Sequence, residues 1–270
     1  MEPVWMIGGD RRSYWTAQVF RANGMLLGAT DVPGEPSEPL PRTLRRVVLP
    51  FPSFGGELIR GSAAVTLDTL RERCGAESTV FGGLFGERRS ALEAVGAAVH
   101  DLYGTEPLTT ANAVPTAEGA VALALEHSPV TLHGSRCLVI GFGRVGKVLA
   151  EKLRALNAEV TVAVRKDGDE ALAEAMGLHT DRTGSYRHGL GQYDFLFNTV
   201  PAPTLSNAQL DLLAPDALLI ELASKPGGFS PEHRANCLNA PGLPGKFAPK
   251  TAGTLYANSI LRILESEESL

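Results

Sequence analysis

The stretch Cys137-Leu138-Val139-Ile140-Gly141-Phe142-Gly143-Arg144-Val145-Gly146 decides the fold, because an apolar strand-like segment runs directly into a glycine motif. The following segment, 145–157, places on one helical face the apolar side chains Val145, Val148, Leu149, Leu153 and Leu156. A GxGxxG motif between a buried strand and an amphipathic helix is typical of dinucleotide binding. Gly141 permits the tight turn, Gly143 lets a pyrophosphate approach the backbone, and Gly146 lets helix pack on strand.

This motif predicts a nucleotide site with its phosphates at the positive end of the helix dipole. The alternative is a tight glycine turn in some other α/β fold. We assign the cofactor contacts to the whole motif, namely Gly141, Phe142, Gly143, Arg144, Val145 and Gly146.

The next strand-like segment indicates which dinucleotide binds. Residues 159–164 alternate and end at Arg165 and Lys166, where NAD-binding proteins place an acidic residue against the ribose hydroxyls. An arginine can instead hold a 2′-phosphate with two hydrogen bonds. We therefore predict NADP as the cofactor, with NAD as the alternative because Asp167 and Asp169 lie close by. A further interpretation of the two basic residues is a solvated strand end.

Composition restricts the class of protein. The 270 residues have a net charge of −5, which argues against nucleic acid as a partner. The N-terminus lacks the basic start and apolar stretch of a signal peptide, and no segment is long and apolar enough to span a membrane. The three cysteines lack a CxxC spacing and are expected to be reduced thiols, with Cys137 in a strand core. The six histidines lack metal-ligand spacing, so we expect no metal site.

Both halves of the chain alternate strand and helix patterns, which predicts an α/β fold with parallel sheets. Residues 1–112 are predicted to form a smaller, Rossmann-like or flavodoxin-like N-terminal domain of substrate-binding or catalytic type. The C-terminal helix 252–266 is expected to complete that domain. Residues 113–251 are predicted to form a doubly wound Rossmann domain that binds NAD(P).

The helix connecting the two halves is predicted to begin at Pro115. Thr116 suits the N-cap position, and Glu118 then lies in the first turn, where the helix dipole favours a carboxylate. The apolar run 120–125 continues this helix.

Two apolar segments after the nucleotide motif lead into polar loops, which in a doubly wound sheet lie where ligands bind. The first loop is predicted to contact the cofactor through Asn198, Thr199, Val200 and Pro201. The alternative is a simple turn. The second segment, 217–222, ends near Glu221, which is either a carboxylate in the cleft or a buried, hydrogen-bonded one. It leads into Ser224 and Lys225.

Three lysines are candidates for binding an anionic substrate. Lys225 follows a strand, and Lys246 and Lys250 flank a loop rich in proline and glycine, which suits fixed presentation of side chains. Ser224 is a candidate hydrogen-bond donor in the same place. The alternative is that the lysines point to solvent, as most lysines do.

No acid–base arrangement is evident in the sequence. A 2-hydroxy acid dehydrogenase needs a histidine held by a carboxylate and an arginine for the substrate carboxylate. His233 lies in the segment 230–234, where we predict the start of a helix. A Ser-His-Asp interpretation has no GxSxG motif to support it.

Seven stretches carry a resemblance to a known family. They are Gly8–Asp10, Asn112–Gly119, Gly141–Arg144, Asn198–Pro201, Leu222–Gly228, Ala240–Lys246 and Ala248–Gly253. On these stretches, which extend over nearly the full length, the chain resembles the family formed by the A subunits of dipicolinate synthase. The last three stretches are more specific than any dinucleotide motif. Glu221 departs from the aspartate that the family leads us to expect, and Tyr103–Pro107 has no clear match.

The resemblance implies a fold similar to that of formate/glycerate dehydrogenases. It also implies NAD(P)-dependent oxidation of dihydrodipicolinate to dipicolinate during sporulation, in the mother-cell cytoplasm, together with the B subunit of dipicolinate synthase. We further expect a homo-oligomer. The substrate ring carries two carboxylates, which explains a need for lysines, and Lys225 occupies the loop where hydroxy acid dehydrogenases place their arginine. Aromatisation of the ring needs less acid–base help than oxidation of an alcohol, which explains the missing histidine.

Two other functions compete with this interpretation. One is a dehydrogenase that acts on a 2-hydroxy acid, for which the sequence offers no base. The other is a non-catalytic regulatory protein, in which bound NADP only steers a partner.

Overall fold

The computed structural model describes residues 2–229 and 236–268 and divides the chain into two compact units. Unit 1 comprises Met1–Asn112 with Ala248–Leu270, and unit 2 comprises Ala113–Phe247. Residues 248–251 thus belong to unit 1, whereas the sequence pattern places them in the nucleotide-binding domain. His233 and its predicted helix start lie outside the described residues.

Unit 1 is built on a five-stranded parallel sheet with the order β2-β1-β3-β6-β7. Its strands are β1 (Val4–Ile7), β2 (Leu26–Thr30), β3 (Arg46–Val48), β6 (Thr79–Gly82) and β7 (Ala98–Asp101), with a small antiparallel hairpin formed by β4 (Phe54–Gly55) and β5 (Leu58–Ile59). Its helices are α1 (Arg11–Ala22), α2 (Leu67–Arg73), α3 (Arg88–Glu93) and α9 (Pro249–Glu268). Apart from the hairpin, this is the flavodoxin-like strand order 2-1-3-4-5.

The terminal helix α9 packs along α1 within unit 1. The Thr16 hydroxyl of α1 lies 3.1 Å from the carbonyl oxygen of Gly253 in α9. A Cβ at Gly253 would lie 2.3 Å from the carbonyl oxygen of Arg12, so only glycine permits this approach. The buried stripe of α9 includes Tyr256 and Ile260, which belong to the same core as β1.

Unit 2 is built on a six-stranded parallel sheet with the order β10-β9-β8-β11-β12-β13. Its strands are β8 (Arg136–Ile140), β9 (Glu159–Val164), β10 (His179–Arg182), β11 (Phe195–Asn198), β12 (Leu218–Glu221) and β13 (Cys237–Asn239). Its helices are α5 (Arg144–Ala155), α6 (Asp167–Ala175), α7 (Asn207–Leu210) and α8 (Leu243–Phe247). Numbered within the unit, the order is 3-2-1-4-5-6, that of dinucleotide-binding domains, and the predicted fold class is confirmed.

The helix between the two halves is longer than predicted. Helix α4 spans Glu106–His127 with Pro115 inside it, so the expected start at Pro115 and the N-cap role of Thr116 are wrong. Glu118 is consequently in mid-helix, where its carboxylate pairs with the Lys152 ammonium at 2.9 Å. Inside a helix, proline removes one backbone hydrogen bond and its ring crowds the carbonyl group four residues earlier. Burial of α4 outweighs this cost, since Leu108 lies in the core of unit 1 and Ala117 lies in that of unit 2.

The apolar face predicted for the motif helix is confirmed except at its end. Leu149 and Leu153 are fully buried, and Val148 packs against the same core. Leu156, however, is 42% exposed, because α5 ends at Ala155 and the chain turns at Asn157 with a positive φ.

None of the helices in the described part of the chain combines the length and the apolar character needed to cross a bilayer. Within residues 2–229 and 236–268, no group of three or more histidine, cysteine, aspartate or glutamate side chains is arranged to hold a metal ion.

None of the three cysteines is in a disulfide, and their environments differ. Burial raises the pKa of the Cys74 thiol to about 11 and that of the Cys137 thiol to about 12, while Cys237 is only partly buried.

Because the thiolate is the nucleophile, native protein at pH 8 should react rapidly with a disulfide reagent at Cys237 alone. The measurement is release of thionitrobenzoate. Denatured protein should release three equivalents, and Cys237→Ser should abolish the fast phase. Fast release of more than one equivalent from native protein would contradict the burial of the other two thiols.

Candidate functional site

The candidate site lies where the strand order of unit 2 reverses. Strands β8 and β11 are neighbours, with Ile140 paired to Asn198 at their carboxyl ends. The glycine motif therefore leaves the sheet beside the loop that follows Asn198. In open parallel sheets, ligands bind outside the carboxyl ends of the strands at this reversal.

The three motif glycines each meet a different steric requirement. Gly141 has a φ of +98°, and a Cβ there would lie 2.5 Å from the Thr199 hydroxyl. A Cβ at Gly146 would lie 2.1 Å from the carbonyl oxygen of Gly141, so this glycine lets α5 pack against the turn. A Cβ at Gly143 would meet nothing within 4 Å, which leaves open space at the N-terminus of α5. This open, positively polarised helix end fits a pyrophosphate.

The remaining motif residues surround that helix end. Phe142 is buried, and the Lys147 ammonium lies 5.3 Å from the centre of its ring. Arg144 is exposed, and Val145 is partly buried. Their contacts with a cofactor remain predictions.

The end of β9 carries more charge than the sequence pattern indicates. Arg165 and Lys166 are exposed, as a phosphate contact requires. Arg182, which sequence reasoning missed, pairs with Asp167 and Glu170 and donates from Nη1 to the carbonyl oxygen of Arg165 at 3.1 Å. The Asp167 carboxylate, which the sequence leaves open as an NAD ligand, is therefore already engaged. The sequence feature that could have identified Arg182 is its position as a basic residue at the end of the next parallel strand, residues 179–182.

Asn198 and Glu221 form a buried polar pair at the ends of two adjacent strands. The Asn198 amide is fully buried and donates to Glu221 Oε1 at 2.7 Å and to the Val200 carbonyl at 2.9 Å. Glu221 is 4% exposed and also accepts the backbone N–H groups of Ala223 at 2.9 Å and Gly228 at 2.8 Å. Of the two interpretations left open for Glu221, the structure selects the buried, hydrogen-bonded carboxylate. The Asn198 amide thus fixes the backbone of its loop, and its predicted contact with the cofactor stays a prediction.

The loop after β12 presents Ser224 and Lys225 to solvent on a fixed backbone. Its two ends are held by the same Glu221 carboxylate, and Gly227 donates back to the Ser224 carbonyl at 3.0 Å. A Cβ at Gly228 would lie 2.4 Å from the Asn198 amide nitrogen, so glycine is required where the loop closes. Both Ser224 and Lys225 are exposed.

The other two lysines occupy separate units. Lys246 is exposed in α8, a helix of unit 2 that approaches α4 closely at Gly119, and its ammonium lies 4.8 Å from the centre of the Phe247 ring. Lys250 is exposed in α9 of unit 1, with its ammonium 4.9 Å from the Trp15 ring centre. Their role as a substrate cluster with Lys225 stays a prediction.

We expect Glu221→Gln to destabilise the protein by roughly 2 to 3 kcal/mol, because an amide group would place a donor against the N–H donors that the carboxylate now accepts. The measurement is the free energy of unfolding in urea. The matched control is Glu159→Gln, which changes an exposed carboxylate at the amino end of β9 in the same sheet. This variant should change the free energy of unfolding by less than about 0.5 kcal/mol. Equal stability of the Glu221→Gln variant and the wild type would contradict the role of this carboxylate.

Comparison with known proteins agrees with this geometry. Residues 124–224 match the family model described as the NAD-binding domain of D-isomer-specific 2-hydroxyacid dehydrogenases. The match contains the glycine motif, the loop after β11 and Ser224. It confirms NAD(P) as the cofactor class.

Similar proteins extend the match to most of the chain. The A subunit of dipicolinate synthase from Bacillus subtilis (strain 168) is 31% identical over 231 residues, which cover 81% of this chain and 77% of that protein. The crystal structure of the A subunit of dipicolinate synthase from Bacillus halodurans has a TM-score of 0.87 at 25% identity and covers 97% of both chains. The crystal structure of the corresponding Bacillus subtilis protein has a TM-score of 0.84 at 27% identity, covering 99% of this chain and 97% of the other. The chain is an NAD(P)-dependent oxidoreductase that belongs to the family of dipicolinate synthase A subunits.

Proposed function

We propose that this protein oxidises dihydrodipicolinate to dipicolinate with NADP as the hydride acceptor. We further propose that it acts with the B subunit of dipicolinate synthase in the mother-cell cytoplasm of a sporulating bacterium. The observation that carries the proposal is the Ser224–Lys225 loop, which Glu221 holds at the same sheet edge as the glycine motif. The relatives named as dipicolinate synthase A subunits support a cyclic dicarboxylate as the anion that this lysine binds.

The protein's own residues provide binding and orientation. The N-terminus of α5 at Gly143 holds the diphosphate, and Arg165 with Lys166 holds the 2′-phosphate. Bound NADP supplies the acceptor for a hydride. Lys225 binds one substrate carboxylate, with Ser224 as a second donor. The ring loses one hydride and one proton, and the proton passes to water.

The family model favours a second candidate, a dehydrogenase that acts on a 2-hydroxy acid. Oxidation of an alcohol needs a base to take the hydroxyl proton. The loops 141–146, 199–206 and 222–228 at the carboxyl edge of the sheet contain no histidine. Dihydrodipicolinate makes no such demand, since aromatisation itself favours loss of the proton.

The proposed activity is tested by mixing the purified protein with dihydrodipicolinate and NADP, with and without the B subunit, and recording NADPH absorbance. Lys225→Ala should lower kcat/KM by about tenfold or more, because one hydrogen-bonded ion pair to the substrate is lost. Lys225→Arg should retain much of the activity. Lys152→Ala, which removes the same charge at the far end of α5, is the control and should change the rate less than about twofold.

Turnover by the chain alone excludes a purely regulatory role. Oxidation of a 2-hydroxy acid in place of dihydrodipicolinate would contradict the proposed substrate. Unchanged turnover and unchanged inhibition by dipicolinate in Lys225→Ala would contradict the role of the lysine.

Arg165→Ala should weaken binding of NADP by about tenfold or more, because the 2′-phosphate loses a charged partner. Binding of NAD should change by less than about twofold, since NAD has no phosphate at that position. The measurement is a fluorescence titration with each dinucleotide. Arg154→Ala removes the same charge from an exposed position in the last turn of α5 and should affect neither ligand. A wild-type protein that binds NAD ten times more tightly than NADP would contradict the assignment.

A further inference from the structure

Unit 1 has a recess of its own at the point where its strand order reverses. Strands β1 and β3 are neighbours there, and the turn Gly8–Asp10 follows β1 while Phe51 lies just beyond β3. The recess has a cavity volume of about 40 Å³, or about 480 Å³ when the open space at its mouth is counted, and all its lining residues belong to unit 1. Those that bear on its chemistry are Arg12, Ser13, Phe51, Leu108, Ala252 and Tyr256.

Arg12 is the cation of the recess and is held in one orientation. Its guanidinium donates to the Asp10 carboxylate from Nε at 2.9 Å and from Nη2 at 2.7 Å. Asp10 also caps α1 by accepting the Arg12 backbone N–H at 2.9 Å. Within residues 2–229 and 236–268, Nη1 of Arg12 makes no hydrogen bond. One edge of the guanidinium is thus available to a ligand.

The charge balance of the recess favours an anion. Burial alone would raise the pKa of Asp10, but the hydrogen bonds and charge of Arg12, with a smaller effect of Arg60, hold it below its ordinary value. The residues that line the recess include one cation, Arg12, and no carboxylate. The next carboxylate, Asp101, accepts backbone N–H groups from Leu84 at 3.1 Å and Tyr103 at 2.9 Å.

Ser13 supplies a second polar group beside Arg12 in the recess. Its side chain lines the recess, and the residue is only 7% exposed. Among the described residues, its hydroxyl has no hydrogen-bond partner. Within residues 2–229 and 236–268, the one fully buried side-chain polar atom without a partner is the Tyr193 hydroxyl. The Ser13 hydroxyl therefore faces the open space of the recess, where it can donate a hydrogen bond to a ligand.

The walls of the recess suit a flat ring. The Phe51 and Tyr256 rings lie 5.9 Å apart between centroids, and Leu108 and Ala252 add apolar surface. The Tyr256 hydroxyl is engaged with the Leu49 carbonyl at 2.8 Å, and burial raises its pKa, so it presents an uncharged aromatic surface. Aromatic walls with one oriented cation match a planar ring that carries a carboxylate.

Sequence stretches that the nucleotide site does not use meet at this recess. Asp10 orients Arg12, Asn112 lines the recess, and the stretch that ends at Gly253 contributes Ala252. These residues come from three distant parts of the chain, and the close approach of Gly253 to Arg12 brings the last of them into place.

We propose that the unit 1 recess binds the carboxylated ring of the substrate, with Nη1 of Arg12 and the Ser13 hydroxyl on one carboxylate and the ring against Phe51 and Tyr256. The identity of the ring rests on the proposed function. Arg12 and Ser13 are the residues that determine specificity for a carboxylate at this position.

The probe is dipicolinate, titrated into the full-length protein by calorimetry. Arg12→Gln should raise its Kd by about tenfold or more, and Ser13→Ala by about threefold to tenfold. KM for dihydrodipicolinate should rise in parallel, while the Kd for NADP stays unchanged. Arg11→Gln, which removes the same charge from the exposed neighbouring position, should change the Kd for dipicolinate by less than about twofold.

The Ser13→Ala variant distinguishes a loss of dipicolinate binding from a loss of folding. Because the hydroxyl has no partner in the described part of the protein, this variant should be at least as stable as the wild type, whereas a purely structural serine would be destabilised. Loss of stability in Ser13→Ala, with an unchanged Kd for dipicolinate, would overturn the proposal.

The results of these experiments test ligand binding in the recess and the proposed activity separately. Wild-type turnover of dihydrodipicolinate with unchanged KM and Kd in both variants overturns the recess and leaves the proposed function intact. Dipicolinate binding that depends on Arg12 and Ser13, without turnover, supports the recess and contradicts the activity. Absence of both binding and turnover in the wild type overturns both.

Discussion

The buried hydrogen bond between Asn198 and Glu221 ties together the loops that form the carboxyl edge of unit 2. Glu221 accepts three N–H donors, and Asn198 links it to the Val200 carbonyl, so one carboxylate holds the loops that follow the adjacent strands β11 and β12. A buried carboxylate is stable only when such donors surround it. The loop that carries Lys225 therefore has a defined backbone although its side chain is exposed.

Both units have a reversal of strand order in their sheets, but the chemical groups placed at the two reversals differ. Each sheet reverses its strand order, and at each reversal a helix begins directly after a turn that follows a strand. In unit 2 the turn is glycine-rich and leaves open space at Gly143, which suits a phosphate. In unit 1 the turn ends at Asp10, whose carboxylate caps α1 and orients Arg12. In unit 1 the positive charge at the reversal is thus the Arg12 side chain, whereas in unit 2 it is the N-terminus of helix α5.

Sequence reasoning succeeded where the physical signal is local. The strand at 159–164 and the strand–glycine–helix motif were recognisable because side-chain alternation and glycine spacing are set within about ten residues. Short elements such as β13 and α7 were missed, since three or four residues carry no period. The start of α4 was misplaced because proline disfavours a helical residue before it, and only burial of the whole helix reverses that preference.

The sequence by itself determined the fold class, the dinucleotide motif and the basic end of β9, because each depends on neighbours along the chain. Only the tertiary structure decided that Arg182 engages Asp167, that Glu221 is a structural carboxylate, and that Ala252 joins Arg12 in one recess. The physical reason is that parallel strands and packed helices bring together residues that are far apart in the chain. Which hydrogen bonds and charges are then satisfied is set by that packing, and no local pattern records it.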